Sequence, residues 1–227
     1  MKHDKPICGS NIAKVNRYIS NANIVFEIGA YDGVDIEEIN QLWNNPIIHC
    51  FEPDPEPFEI LNTYASEKII CNNIGLFDKE DKTILYKVLN KNLGEAEQKN
   101  RSLWYKTAQS LYPINTNYYG YPRDIGLQEV EINVSTIDNY CKKYNIIPNI
   151  ILMDTQGSEY DILAGAQNTL KNNNLEGIML EWSTDTLYTG QKKLNDITTL
   201  LETTGFVLAE KINLWNAIHG DAIFIRK

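Results

Sequence analysis

Three stretches of this chain carry residues whose types and spacing could do chemistry. The first is Glu27-Ile28-Gly29-Ala30-Tyr31-Asp32-Gly33, at the end of an apolar run. Its glycines let the backbone turn sharply and let a ligand approach bare main chain. Dinucleotide loops of the G-x-G-x-x-G kind face a pyrophosphate from a helix N-terminus. Here Ala30 holds the middle position, and Glu27 precedes the first glycine by two. Negative charge opposes a pyrophosphate and suits a ligand carrying ammonium and sulfonium groups. The second stretch is Phe51-Glu52-Pro53-Asp54-Pro55, with Glu52 standing 19 positions after Gly33. A carboxylate about 20 residues past such a loop is placed to accept both hydroxyls of a ribose. The third is Met153-Asp154-Thr155-Gln156-Gly157-Ser158-Glu159, followed later by Leu180-Glu181 and His219-Gly220-Asp221.

Together these motifs resemble the FkbM family of methyltransferases. The matching features are the E-x-G-A-x-x-G loop, the F-E-P-D-P strand end, the D-x-x-G-x-E segment running into Ile162-Leu163-Ala164-Gly165-Ala166, and the late G-D-A-I-F strand. The resemblance implies an α/β, Rossmann-like class I methyltransferase. Its mostly parallel seven-stranded sheet would have one antiparallel strand and helices on both faces. The implied cofactor is S-adenosylmethionine, and the implied reaction is methyl transfer to a hydroxyl oxygen of a sugar, glycan or related small molecule. Carried onto this chain, Glu27, Gly29, Ala30 and Gly33 would hold the methionine end of the cofactor. Glu52 would hold the ribose with Pro53 and Asp54 beside it, and Asn73 and Asp78 would flank the adenine.

A sugar hydroxyl is a poor nucleophile, so its proton needs an acceptor. Asp154 and Glu181 end two strands that are neighbours in the implied fold, so both carboxylates could converge over the cofactor. Paired acids can also bind a divalent ion such as Mg²⁺, but two acids do not define a metal site and none is assigned. Glu159 could instead cap or pair within its own turn. His219 is the candidate general base, because imidazole titrates near working pH. His49, flanked by Ile48 and Cys50, reads as core, and no zinc-ligand spacing occurs.

The elements that must position these residues alternate. Ile24–Ile28, Ile47–Phe51 and Ile69–Cys71 read as buried strands, with helical stretches over about 34–43 and after Pro55, where Asp54 is placed as N-cap. The alternation resumes with a helix from Ser135-Thr136 to about Asn145, strands at 150–153 and 177–180, and helices over about 158–171 and 194–204. A closing hairpin of 206–208 and 222–225 ends the chain. Such alternation implies parallel pairing and an open sheet. Between about 90 and 128 the periodicity fails and Trp104, Tyr105, Tyr118 and Tyr119 cluster among polar residues. This insertion in a single domain spanning 1–227 is the expected substrate lid, since aromatic faces stack on sugar rings; packing or dimer contact would explain the same rings.

Composition narrows the partners. The 227 residues carry a formal net charge of −9 and no concentrated basic patch, which disfavours nucleic acid. The polar opening residues give no signal-peptide pattern, and no apolar run is long enough to span a bilayer. The four scattered cysteines fit reduced thiols in a cytoplasmic protein. A homodimer is compatible with all of this. A nucleotide-dependent oxidoreductase with a Rossmann core, or a silent binding module of the same fold, are the competing readings.

Overall fold

The structure is a computed structural model and describes residues 11–94, 97–98, 103–214 and 218–227. The opening residues, with His3 and Cys8, lie outside the described residues. A short helix α1 (Ile12–Val15) leads into β1 (Ile24–Ile28), α2 (Ile36–Leu42), β2 (Ile47–Phe51), α3 (Pro55–Leu61) and β3 (Ile69–Asn72). After the intervening region come α5 (Ile137–Tyr144), β7 (Ile150–Met153), α6 (Glu159–Ala164), β8 (Gly177–Ser183), α7 (Leu194–Glu202), β9 (Phe206–Leu214) and β10 (His219–Arg226). The sheet order is β3-β2-β1-β7-β8-β10-β9. All pairings are parallel except those of β10, which runs antiparallel to both neighbours. The expected seven-stranded sheet and closing hairpin are therefore present, with β10 inserted as the one reversed strand.

Central strands are mostly apolar because both of their faces are covered. Phe26, Phe51, Ile151 and Met153 enter one core, while Val25, Ile48, Ile150 and Leu152 enter the other. This alternation is the period-2 geometry of strands applied to two helical layers. Asp54 caps α3 as the sequence predicts, its carboxylate accepting from Glu56 N at 3.1 Å with Pro55 first in the helix. Thr136 caps α5 through Asn139 N at 3.0 Å.

Two expectations change. The helix placed over 158–171 stops at Ala164, and a separate turn covers Thr169–Lys171. Gly165 lies against the main chain of Phe77 and Asp78, where a side chain would not fit. Asp138 then anchors the following turn by accepting from Asn168 N and Thr169 N, both at 2.8 Å. The second change is a small sheet of β4 (Gly75–Leu76), β5 (Asp81–Asn90) and β6 (Ile125–Ser135), in the order β4-β6-β5. The sequence reading leaves β5 and β6 unassigned, although Val130, Ile132 and Val134 alternate with acidic and amide residues. The aperiodic insertion is the excursion between these two strands, and it carries the short helix α4 (Leu103–Thr107).

At the switch between outgoing and returning halves, β1 lies between β2 and β7. Gly29 follows β1 with φ +83°, and a Cβ there would run into the Asp154 carbonyl at the end of β7. Gly29→Ala is expected to destabilise the chain by more than about 2 kcal/mol, combining left-handed strain with a backbone clash. Urea denaturation checks this; a change within about 0.5 kcal/mol contradicts the close approach.

Candidate functional site

A cavity of about 500 Å³ opens at the carboxyl ends of β1, β2, β7 and β8. In open α/β sheets this end, at the topological switch, is where ligands sit. Its far wall comes from the insertion, through Lys106 to Leu111 but without Ala108, and from Asn11 beside α1. Among the described lining residues stand seven carboxyl side chains and one lysine: Glu27, Asp32, Asp35, Glu52, Asp154, Glu181, Asp221 and Lys106.

Glu27 projects from β1 and is buried, with Cys50 Sγ donating to its Oε2 at 3.2 Å. Burial, reinforced by the charge of Asp35, pushes its carboxyl up to about 8. Glu52 ends the turn after β2. Its Oε1 accepts from Asp54 N at 2.7 Å and its Oε2 from Tyr31 N at 3.0 Å. Tyr31 adopts φ +49°, so the first loop curls back onto the second carboxylate. Burial dominates here too and raises Glu52 to about 8 despite those two donors. A desolvated acid gains most from a cationic or hydroxylic ligand, because neither water nor a salt bridge satisfies it.

Asp154 follows β7, and the Met153–Leu180 pairing sets it beside Glu181 on β8. Loss of bulk water within the crevice raises Glu181 well above the usual range, and the charge of Asp154 adds to that. Asp154 is raised in the same way, with Asp221 as the repelling neighbour, although its side chain stays open to the cavity. Gln156 Nε2 donates to Asp154 Oδ1 at 2.6 Å and to Glu181 Oε2 at 3.0 Å. Asp221 stands opposite Glu181 across β8 and β10 and accepts from Asn11 Nδ2 at 2.6 Å. Glu159 does cap its own turn, accepting from Thr155 N and Gly157 N at 3.1 Å each.

Of the residues singled out from sequence, Glu27, Gly29, Ala30, Glu52, Pro53, Asp154 and Glu181 line this cavity. Others stand apart from it, each for a visible reason. Gly33 turns the chain with φ +84° against Ile36 and Leu61. Asp54 is spent on the α3 cap and on Lys87, whose Nζ lies 2.6 Å from it. Asn73 donates to the carbonyls of Glu52 and Pro53, at 2.9 and 3.2 Å, and so braces the turn from behind. Asp78 follows β4 beside Gly165; the residues that reach the cavity there are Ile74, Gly75 and Leu76. His219 begins β10 outside the lining, half-buried, with burial lowering its pKa. His49 is core, its Nδ1 2.8 Å from the Tyr140 hydroxyl.

The aromatic residues do not face the cavity. Tyr105 buries its ring in the insertion's own small core and donates to Asp124 at 2.6 Å. Trp104 packs on Tyr105 and Tyr121, and Tyr118 on Tyr121, while Tyr119 is 88% exposed. The rings fold the insertion; the following segment, around Ser110, is what reaches the site. Sequence reading missed Asp32, Asp35, Gln156 and Asp221 in the lining. Among the described residues, no group of three or more His, Cys, Asp or Glu side chains is arranged to hold a metal ion, and no helix is long and apolar enough to cross a membrane.

The Methyltransferase FkbM domain profile matches residues 27–208, most of the chain. The 2-O-methyltransferase NoeI of Sinorhizobium fredii (strain NBRC 101917 / NGR234) is 26% identical over 182 residues, covering 78% of this chain and 70% of the relative. Among solved structures, magnesium protoporphyrin IX methyltransferase from Synechocystis PCC 6803 with bound SAM is similar at a TM-score of 0.49 and 8% identity, over 95% of this chain and 75% of that one. Aeropyrum pernix fibrillarin with bound S-adenosyl-L-methionine is similar at 0.47 and 11%, over 92% and 68%.

The raised carboxyls have a consequence for the ligand-free chain. An acid whose folded pKa exceeds its unfolded value contributes stability that is fully present below the unfolded pKa and is lost as pH rises through the folded one. For Glu27 that window runs from about 4.5 to about 8. Glu27→Gln should therefore leave Tm nearly unchanged at pH 4.5 and raise it at pH 8 relative to the parent, by about 2–4 °C per kcal/mol relieved. Calorimetric scans at both pH values check this; equal shifts at the two contradict it.

Proposed function

The chain belongs to the FkbM family of methyltransferases, and on that premise we propose that it moves the methyl group of S-adenosylmethionine to a hydroxyl oxygen of a sugar, glycan or similar small molecule. The observation that carries this reading is the excess of desolvated carboxyls at the strand ends. It opposes phosphate-rich dinucleotides and favours a ligand with ammonium and sulfonium charges. Glu27 and the main chain of Gly29 and Ala30 are the proposed holders of the methionine end. Glu52 already has both oxygens fixed by backbone N–H groups, which leaves its outward lone pairs aimed for a ribose diol. When bound there, the cofactor supplies a methyl group activated by positive sulfur.

The rest of the proposed chemistry belongs to the protein. Asp154 and Glu181 lie beside each other in the cavity, and carboxyls pushed upward in pKa are better matched to taking a hydroxyl proton near neutral pH. Asp154 is the proposed base, and Glu181 is the neighbour held beside it by the shared Gln156 amide. The segment around Ser110 lines the far side of the cavity, where it would help align the acceptor oxygen with the methyl group. The related NoeI bears the name of a 2-O-methyltransferase, which favours oxygen as the acceptor atom. His219, set outside the cavity, takes a secondary place as base.

Two measurements test this reading. Glu52→Ala should weaken S-adenosylmethionine binding by about 1–3 kcal/mol in titration calorimetry, the cost of losing hydrogen bonds to a charged group; unchanged affinity removes the ribose assignment. Against a panel of neutral mono- and oligosaccharides with labelled cofactor, Asp154→Asn should lower kcat about 10²-fold or more, and His219→Ala much less. The reverse ranking would make His219 the base.

A further inference from the structure

Gln156 lies between β7 and α6 with φ +54°, a left-handed conformation that side-chain-bearing residues enter at a cost. Its side chain is fully engaged. Nε2 donates to both Asp154 and Glu181, and Oε1 accepts from the Tyr188 hydroxyl at 2.7 Å. Turning the amide over would set its carbonyl lone pairs against two carboxylates, so charge alone fixes its orientation. The Gln156 main-chain carbonyl accepts from Ser110 Oγ at 2.6 Å, which ties the insertion to the same residue.

We propose that Gln156 is a positioning residue that bridges Asp154 and Glu181, fixes one oxygen of each side by side, and docks the insertion over them. Two neighbouring carboxylates repel, and they lower that repulsion by sharing a proton or by diverging. An amide that gives one N–H to each weakens the drive toward both. Its donors engage one oxygen of each acid and leave the other oxygen of each unengaged by the amide. Tyr188, buried and itself pushed well upward in pKa, stays a phenol and a donor to the amide carbonyl. The left-handed backbone is the geometric condition: it lets one residue reach back to its own strand end, across to β8, and out to Ser110.

The other groups facing the two acids are all acidic or phenolic. Asp35 at the N-cap of α2, Glu159 on α6 and Asp221 on β10 act on Asp154, while Glu159, Asp221, Tyr121 and Tyr188 surround Glu181. None of them stabilises the ionised pair; Gln156 does, and its hydrogen bonds lower both acids. The inference rests on the methyl-transfer reading only for what the two acids accomplish.

The test is a titration of side-chain carboxyl ¹³C signals in the full chain, assigned with Asp154→Asn and Glu181→Gln. In Gln156→Met, which keeps the length of the side chain but not its donors, the midpoint of one or both acids should rise by about one pH unit. Gln156→Gly, which suits the left-handed backbone, should do the same and guards against a folding defect in the first variant. Tyr188→Phe should produce a smaller rise in the same direction. Unchanged midpoints in folded Gln156 variants would overturn the proposal, because a merely structural residue lowers Tm without moving them. Should the midpoints move while Asp154→Asn still methylates saccharides at the parent rate, the base assignment fails and the positioning role stands.

Discussion

Carboxyl groups gathered in one crevice dominate this molecule, Glu27 and Glu52 buried and Asp154 and Glu181 more open to the cavity. Glu27, Glu52, Asp154 and Glu181 come from four different strands, and all four are raised above ordinary carboxyl values with desolvation as the leading cause. A fold that gathers like charges in a crevice accepts a loss of stability there, which only a complementary ligand or internal donors can offset. The cavity meets that demand in two different ways. Backbone N–H groups and the Gln156 amide hold the acids in fixed orientations, and the remaining field points into open space suited to a cation.

The sheet is what brings the acids together. Parallel strands deliver their carboxyl ends to one edge, and the order β2-β1-β7-β8 puts the four carriers side by side. Large rings and branched aliphatic residues pack both faces, so the ends are set by a close-packed interior rather than by loop chemistry. Gly29 allows β1 and β7 to approach at the point where the first loop turns, and Glu52 then fastens that loop through Tyr31 N. The small sheet of β4, β5 and β6 carries the insertion back over the crevice. Ser110 bonds to Gln156, and Tyr112 donates to Asp161 on α6 at 2.8 Å.

Much of this was legible in the residues. The strands of the central sheet are nearly continuous apolar runs; their parallel pairing follows from the alternation with helices, and the seven-stranded sheet with one reversed strand from the family motifs. The acids in the cavity were legible where they close an apolar run, as Glu52, Asp154 and Glu181 do, although β8 itself continues past Glu181 to Ser183. What stayed hidden depended on distant contacts. Asp54 is drawn off the site by Lys87, a residue of β5 that no local pattern connects to it. Tyr105 looked like a sugar platform because an aromatic residue in a polar loop has the same local signature whether it faces a ligand or Asp124. Gln156 is a single amide in a turn, and its importance lies in what β8, Tyr188 and Ser110 bring to it.

The central claim is the placement of a cationic sulfur donor across the ends of β1 and β2, with its sugar at Glu52. A crystal structure of the chain grown with S-adenosylhomocysteine tests that placement directly. Both ribose hydroxyls are expected within about 2.6–3.0 Å of the Glu52 carboxylate, the ammonium at the Gly29–Ala30 loop near Glu27, and the sulfur facing Asp154. A nucleoside bound elsewhere, with Glu52 touching only its own backbone partners, would contradict it.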